Sequence, residues 1–289
     1  MFDPFKISEP TCISFSGGRT SAYMLWRVLQ SHDGKLPDEA VVCFANTGKE
    51  DEATLKFVQD CSDKWSVPIS WIEYDWDAEN HFILVDFLTA SRNGEPFEKA
   101  IRHYNLKLPN PVSRWCSGDM KHDTVLRYLK SLGWYENKDG WETFLGIRAD
   151  EQRRAIKLKD SRSKDQKREM RRLPLVSAGV TASEVGKFWA SNFFDLQLPN
   201  NNGKTMHGNC DLCFLKPASQ IQSLINEKPE RAIWWANMEK IVQESGKVIG
   251  DGGVFRKDRP SYSAMLQFSK DQTDMFDPNE EAISCFCGD

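Results

Sequence analysis

Two groups of residues in this 289-residue chain have types and spacing suited to chemistry. The first is Ser16-Gly17-Gly18-Arg19-Thr20-Ser21. It follows the apolar run of Cys12, Ile13 and Phe15 and precedes an amphipathic stretch with Tyr23, Met24, Leu25 and Val28. Strand, glycine turn and helix is the arrangement that aims backbone N–H groups and a helix N-terminus at an anion. Gly17 and Gly18 permit positive φ, and a phosphate is expected to lie where their Cβ atoms would otherwise stand. Ser16, Thr20 and Ser21 add hydroxyls, and Arg19 adds a permanent charge. The chemistry this predicts is pyrophosphate binding, in a loop distinct from GxxxxGK[ST], which the chain lacks. A helix-capping turn is the plainer use of the same triplet.

The second group is thiols. Cys210-Asp211-Leu212-Cys213, after Gly208-Asn209, is a CxxC at the start of a helical pattern. In a reducing compartment such a pair serves a metal, an Fe–S cluster or a dithiol couple. Two thiolates leave a tetrahedral set half filled, and the further candidates are Cys116 and the tail pair Cys285 and Cys287. Cys12, Cys43 and Cys61 occupy apolar periodic positions and read as buried hydrophobes.

The scaffold must bring these groups together. Ala40–Ala45 is a near-continuous apolar strand, Asp51–Lys64 has helical spacing at Leu55, Val58 and Cys61, and Pro68–Tyr74 reads as a third strand. This alternation predicts an α/β fold with a doubly wound, mostly parallel sheet and ligands at the carboxyl ends of its strands, where Ser16 and Asn46 both fall. Phe82–Arg92 and Pro96–Tyr104 read as helices, and another runs from about Cys116 to Leu132. Trp141–Ile147 reads as a strand ending at Arg148; Ser183–Asn192, Phe214–Ile225 and Glu230–Glu244 read as helices, the last being the final well-patterned element. The expected division is residues 1–216 as a nucleotide-binding domain and 217–289 as a C-terminal helical and loop extension packed on it.

At the strand ends, Asn46-Thr47-Gly48 offers amide, hydroxyl and backbone groups, with Glu50 opening the next helix. The set suits nucleotide contact or simple capping. Arg148 falls where a phosphate or sulfate would be clamped. Arg114, Lys121, Arg153 and Arg154 suit either phosphate contact or ordinary solvated charge. Val254–Tyr262 interleaves Arg256, Lys257 and Arg259 with Phe255 and Tyr262, a mix that fits a phosphate, a nucleic-acid strand or an exposed turn.

No apolar run reaches the roughly 18 residues a membrane span needs, and MFDPFKISEP lacks a signal-peptide pattern. A cytoplasmic protein is expected, so the eight cysteines argue for metal or redox chemistry rather than a disulfide framework. The net charge of −4 does not mark a dedicated nucleic-acid binder. It is uneven, because Arg153–Arg172 carries ten Lys and Arg against three Asp and Glu, or +7, leaving −11 elsewhere. That segment reads as a loop or exposed helix.

The loop Ser16–Ser21 resembles the PP-loop of the adenine-nucleotide alpha-hydrolase superfamily. Within it, the chain is similar to the phosphoadenosine-phosphosulfate (PAPS) reductase family through an ordered set: Phe44–Glu50 with Thr54-Leu55 and Phe57-Val58; Ser113-Arg114-Trp115-Cys116 to Lys121; Leu145–Glu151; and Leu173-Pro174-Leu175 with Thr181 and Glu184-Val185. The match covers residues 11–216. It implies ATP, PAPS or adenylylsulfate as nucleotide, bound by Ser16 to Ser21, Asn46, Thr47, Gly48, Glu50, Arg114 and Arg148, with catalytic roles for Arg148, Lys121 and Cys287. Cluster-bearing relatives place cysteines near Arg114–Lys121 and in a CxxC like Cys210 and Cys213. This chain has Trp115 before a single Cys116, so a fourth ligand must come from Cys285 or Cys287. A [4Fe–4S] cluster is the leading expectation and Zn the alternative, since thiolates suit both. Cys287-Gly288 resembles the family's nucleophilic tail pair but lacks its usual following His.

Three functions follow as expectations. The first is an enzyme of sulfur metabolism acting on a sulfonucleotide, with a thiol reductant such as thioredoxin. The second is an ATP-dependent sulfurtransferase that thiolates tRNA or DNA through an adenylated base. The third is a catalytically silent nucleotide- or cluster-binding regulator. The resemblance allows a homo-oligomer.

Overall fold

A computed structural model describes residues 2–160, 168–200, 205–208, 210–247 and 253–273. Cys285 and Cys287 lie outside the described residues, as does most of the chain's acidic, cysteine-bearing tail.

The first strand, β1 (Thr11–Ser14), lies mid-sheet between β2 (Ala40–Asn46) and β5 (Trp141–Leu145). Beyond β2 come β3 (Ile69–Tyr74) and β4 (Phe82–Val85), and beyond β5 comes β6 (Glu169–Arg172), giving the order β4-β3-β2-β1-β5-β6. All pairs are parallel except β3–β4. The chain therefore winds outward from β1 to one side, then crosses to β5 on the other. The crevice outside the carboxyl ends of β1 and β5 is the topological switch point of such a sheet.

Period-2 alternation divides the strands' side chains between two faces. Ile13, Phe15, Val42, Phe44 and Trp71 enter one core with α1 (Arg19–Ser31), α2 (Glu52–Trp65) and α8 (Ala182–Ser191). Cys12, Cys43, Ile72 and Trp141 face α5 (Thr124–Ser131) through Leu126 and Leu129. Helices thus cover both faces, as the strand–helix alternation predicts. α2 starts where Asp51 accepts a hydrogen bond from the Ala53 amide, with Glu52 in its first turn, and stops where Ser66 turns left-handed.

A further core joins the C-terminal helices α9 (Ala218–Glu227), α10 (Arg231–Glu244) and α11 (Tyr262–Thr273) to the body. Trp235, Phe255, Tyr262, Ile221 and Leu224 are packed there with Phe97, Ala100 and Ile101 of α3 (Glu95–His103) and with Met120. Residues on both sides of the expected boundary at 216 share this core.

Several elements differ from expectation. Residues 82–92 open as the antiparallel edge strand β4 and not as a helix. The segment after Cys116 is broken into α4 (Trp115–Ser117), one wide π-helical turn (Gly118–Asp123) and α5. The basic segment contributes α6 (Gln152–Asp160) and the edge strand β6, which the short α7 (Pro174–Ser177) follows, while 161–167 lie outside the described residues. Helix α9 begins at Ala218 because Cys210–Pro217 is held as a turn, and α11 was not foreseen. No helix among the described residues is long and apolar enough to cross a membrane.

Candidate functional site

The loop after β1 has the geometry an anion needs. Helix α1 begins at Arg19 with Gly18 as its N-cap, and no side chain caps it. Its first-turn amides therefore lack intrahelical partners, and the helix dipole directs partial positive charge to the same place. The Ser16 amide donates to Ser21 Oγ at 3.2 Å, Ser21 Oγ donates to the Gly18 carbonyl at 2.9 Å, and the two serine hydroxyls lie 3.0 Å apart. These bonds hold the loop closed on itself while Ser16 stays exposed. Arg148 reaches the loop from the end of β5: Nη1 donates to Thr20 Oγ1 at 3.0 Å and Nε to Asp150 Oδ1 at 3.0 Å.

Two residues of the loop depart from the roles expected of them. Gly17 has φ +71°, and a Cβ there would meet Thr54, Val58 and Phe44 in the core. Its missing side chain makes room for α2 and not for a phosphate. Gly18, whose Cβ would meet only Ser16 Oγ at 3.7 Å, is the glycine on the open side. Arg19 turns away from the loop. Its guanidinium grips Asp195 through two bonds of 2.7 and 2.6 Å and donates to the Leu198 carbonyl at 2.8 Å, tying α1 to the segment after α8.

Beside the loop a cavity of about 370 Å³ is lined by Ser14, Ser16, Ser21, Gly146, Arg154 and Lys157, among others. Gly146 lets the loop pack closely here, since a Cβ would stand 3.1 Å from Ser21 Cα. A second cavity of about 490 Å³ shares Ser14, Ser16, Leu145 and Leu158 with the first and runs under the π-helical turn to Ser117, Lys121 and His122. Cys12 and Cys43 lie on its apolar floor. Together they form one cleft at the switch point, of the size that small-molecule sites have.

Behind Lys121, at the far end of the cleft, stands the buried carboxylate of Glu50. It accepts from the Thr47 amide and hydroxyl at 2.9 Å each and from the Lys49 amide at 3.3 Å. Lys121 Nζ lies 3.3 Å from Glu50 Oε1, and the Cys210 thiol points at the same oxygen from 3.9 Å. Asn46 is fully buried and committed to structure: it donates to Glu73 and to the Ser91 carbonyl and accepts from the Gly48 amide. Arg114 is exposed, donating to the Pro111 carbonyl.

The CxxC turn is seated on this structure by backbone and side chain alike. Glu50 and Cys210 form an antiparallel bridge, and the Asp211 amide donates to the Lys49 carbonyl at 2.7 Å. Buried Lys216 donates to the carbonyls of Cys210 and Asp211 at 2.6 and 2.8 Å. Trp235 Nε1 donates to Asp211 Oδ1, Lys49 pairs with Asp211 Oδ2, and Tyr262 Oη donates to the Leu212 carbonyl. The Val254–Tyr262 block is part of this clamp. Phe255 and Tyr262 are buried, and Arg259 donates to Tyr262 Oη and the Lys216 carbonyl, so the aromatics are not offered to a nucleic-acid strand.

Cys116, Cys210 and Cys213 all lie within electrostatic reach of Lys121. Burial, then the charge of Cys213, pushes the Cys116 thiol up to about 11. Burial also raises Cys210, against the pull of Lys121. Burial lowers Lys121, but Cys210 and Glu50 more than offset it and keep the ammonium charged. The donor type is right for a soft metal or an Fe–S cluster. The donor number does not close: among the described residues no three His, Cys, Asp or Glu side chains are grouped so as to hold a metal ion.

One cluster on the cleft wall was missed in the sequence. His122 Nε2 lies 3.1 Å from the buried Glu169 carboxylate of β6, and Nδ1 lies 3.1 Å from Asp123; Arg171 is 3.5 Å from Glu169. Burial opposes the charge on His122, but the two carboxylates prevail and raise it to about 9. Burial likewise opposes the charge on Glu169, yet His122 and Arg171 hold it down at about 2. The run Lys121-His122-Asp123 was the available signal; its partner β6 was hidden in the basic segment.

No protein-family profile matches the chain. It is 27% identical over 216 residues to the uncharacterized nin region protein ORF290 of Escherichia phage lambda, covering 72% of this chain and 67% of that protein. It is 25% identical over 257 residues to the uncharacterized protein MJ0066 of Methanocaldococcus jannaschii, covering 86% of this chain but only 45% of that protein.

Proposed function

We propose that the chain is an enzyme of the PAPS-reductase type that binds an adenine nucleotide or sulfonucleotide with its phosphates at Ser16–Ser21 and its reacting end toward Lys121. The observation that carries this reading is the position of an uncapped helix N-terminus, with Arg148 on the Thr20 hydroxyl, at the switch point of the sheet and at one end of a cleft whose other end is lined by Lys121 and His122. In this reading the amides of the first turn and Gly18 take the phosphate oxygens, Arg148 fixes the loop, and Lys121 stabilises negative charge on the leaving or attacked oxygen. Glu50 orients Lys121 and holds the turn before α2.

Cys116, Cys210, Cys213 and a cysteine of the tail, Cys285 or Cys287, are proposed as the ligands of a [4Fe–4S] cluster. When bound, it would supply an electron store beside the substrate's reacting end. The raised thiols of Cys116 and Cys210 must lose protons to bind it, so anaerobic reconstitution should release protons into weakly buffered solution.

A second reading rests on a separate observation. Arg154 and Lys157 of α6 line the cleft mouth, and Arg153 stands beside them on the surface. That placement suits a sulfurtransferase whose tRNA or DNA substrate follows the rim. Calorimetric titration with ATP, PAPS and adenylylsulfate, followed by assays for sulfite and for pyrophosphate released with RNA or DNA, separates the two. Absence of binding by all three nucleotides would sink both.

A further inference from the structure

A row of aromatic rings leads from the surface to the residue before Cys116. Trp76, in the turn between β3 and β4, is 40% exposed. Its indole stacks on His81 with ring centres 4.0 Å apart and planes within 5°, and His103 lies against it at 3.6 Å. His103 meets Tyr104 edge-on at 5.3 Å. Tyr104 stacks on Trp115 at 4.6 Å with planes 20° apart, and Trp115 is bonded in the chain to Cys116.

Packing alone explains many stacked rings in a core. This row differs in two respects. It connects an exposed indole to a thiol cluster. Its phenol also donates a hydrogen bond to Asp119 Oδ2 at 3.2 Å, and Asp119 is held by Arg127. A tyrosine loses an electron readily only if its proton has somewhere to go, and a hydrogen-bonded carboxylate is such a place.

We propose that Trp76, Tyr104 and Trp115 form a relay carrying one-electron oxidising equivalents between the protein surface and Cys116. In the outward direction, a thiyl radical formed at Cys116 by a radical oxidant takes an electron from Trp115 and a proton from water, restoring the thiol. Tyr104 refills Trp115, and its phenol proton passes to Asp119. Trp76 refills Tyr104 across His103, and Asp119 returns the proton. The indole radical cation at Trp76 is reduced by a solvent thiolate, which departs as its own thiyl radical. In net terms one thiyl radical, one thiolate and one proton become the Cys116 thiol and a solvent thiyl radical. The relay acts in the chain whose Cys116 is a free thiol, before a cluster takes it as a ligand, and does not depend on the nucleotide reading.

Pulse radiolysis of the full chain in azide solution runs the same path from outside. The azide radical takes one electron from an exposed indole and leaves as azide. A tryptophanyl absorbance should decay as a tyrosyl absorbance grows, at a rate independent of protein concentration. With oxygen present to capture a thiyl radical, the Cys116 thiol should be lost, read by alkylation and peptide mass spectrometry. Tyr104→Phe keeps the ring stack and removes one oxygen; it should abolish the concentration-independent tyrosyl growth and protect Cys116. Trp76→Phe should lower the yield of both. Trp115→Phe should leave tyrosyl growth intact while sparing Cys116. Far-ultraviolet circular dichroism checks that each variant is folded. Undiminished tyrosyl growth in Tyr104→Phe, or Cys116 loss that is unchanged in Trp115→Phe, would overturn the relay.

Discussion

A Cβ at Gly17 would stand 2.7 Å from Thr54 Cγ2 and 3.1 Å from Val58 Cγ2, at a φ of +71° that favours glycine, whereas one at Gly18 would touch only a serine hydroxyl. The two substitutions should therefore separate folding from binding. Gly17→Val should lower stability by about 2–4 kcal/mol through strain and overpacking. Gly18→Val should leave the melting temperature near wild type and remove nucleotide binding in calorimetry; the opposite pattern would reverse the assignment of the open side. The His122–Glu169 pair makes a statement about pH. His122 is raised from 6.5 to about 9, so its stabilisation is complete below about 6.5 and is lost as pH rises through 9. Glu169 is lowered from 4.5 to about 2, so its share is complete above about 4.5 and is lost as pH falls through 2. Thermal melts from pH 6.5 to 9.5 should show a decline that His122→Gln flattens. Parallel curves for the two proteins would remove the pair from the account. Loop hydroxyls, glycines and CxxC were legible because they are local in sequence. The partners of Arg19 and His122 were not, because Asp195 and Glu169 are distant charges with no pattern to announce them.

At the scale of elements, the turn after β2, the start of α3 and helix α10 are packed backbone against ring. A Cβ on Gly48 would meet Gly94 at 3.0 Å, and one on Gly94, at φ +86°, would meet the Trp234 indole at 2.5 Å. Gly94→Ala should cost about 2–4 kcal/mol, part from the left-handed backbone and part from the indole. In a Trp234→Ala background only the backbone part should remain, so a double-mutant cycle by denaturant titration measures the contact. A coupling indistinguishable from zero would mean that α10 is seated by its other contacts. The buried strands β1, β2, β3 and β5 could be read from their apolar runs. β4 could not, since Phe82–Val85 is too short for periodicity to tell a strand from a helix turn, and flanking Phe87 and Leu88 extend the apolar run. β6, Glu-Met-Arg-Arg, was masked by charges of the kind edge strands carry. The π-helical turn has no compositional mark, yet it stands at the cleft, where such turns are often found.

For the whole molecule, the core shared by Phe97, Ala100, Ile101 and Met120 with Trp235, Phe255 and Tyr262 makes the C-terminal helices part of the fold. A chain ending at residue 217 should therefore lose cooperative unfolding and bind a hydrophobic dye, as large exposed cores do. A sharp calorimetric transition in that fragment would show instead that the first 217 residues suffice. The expectation of an extension packed on residues 1–216 rests on a change of pattern, and the residues of the shared core lie on both sides of that boundary. The bridge between Glu50 and Cys210 adds a matter of timing. The two residues are 160 positions apart. A ribosome adding about 5–20 residues per second would expose Glu50 roughly 8 to 30 seconds before Cys210. During synthesis the seat is made first and the thiols arrive last, so Lys121 and Glu50 await them already in place while the CxxC turn spends little time unsheltered.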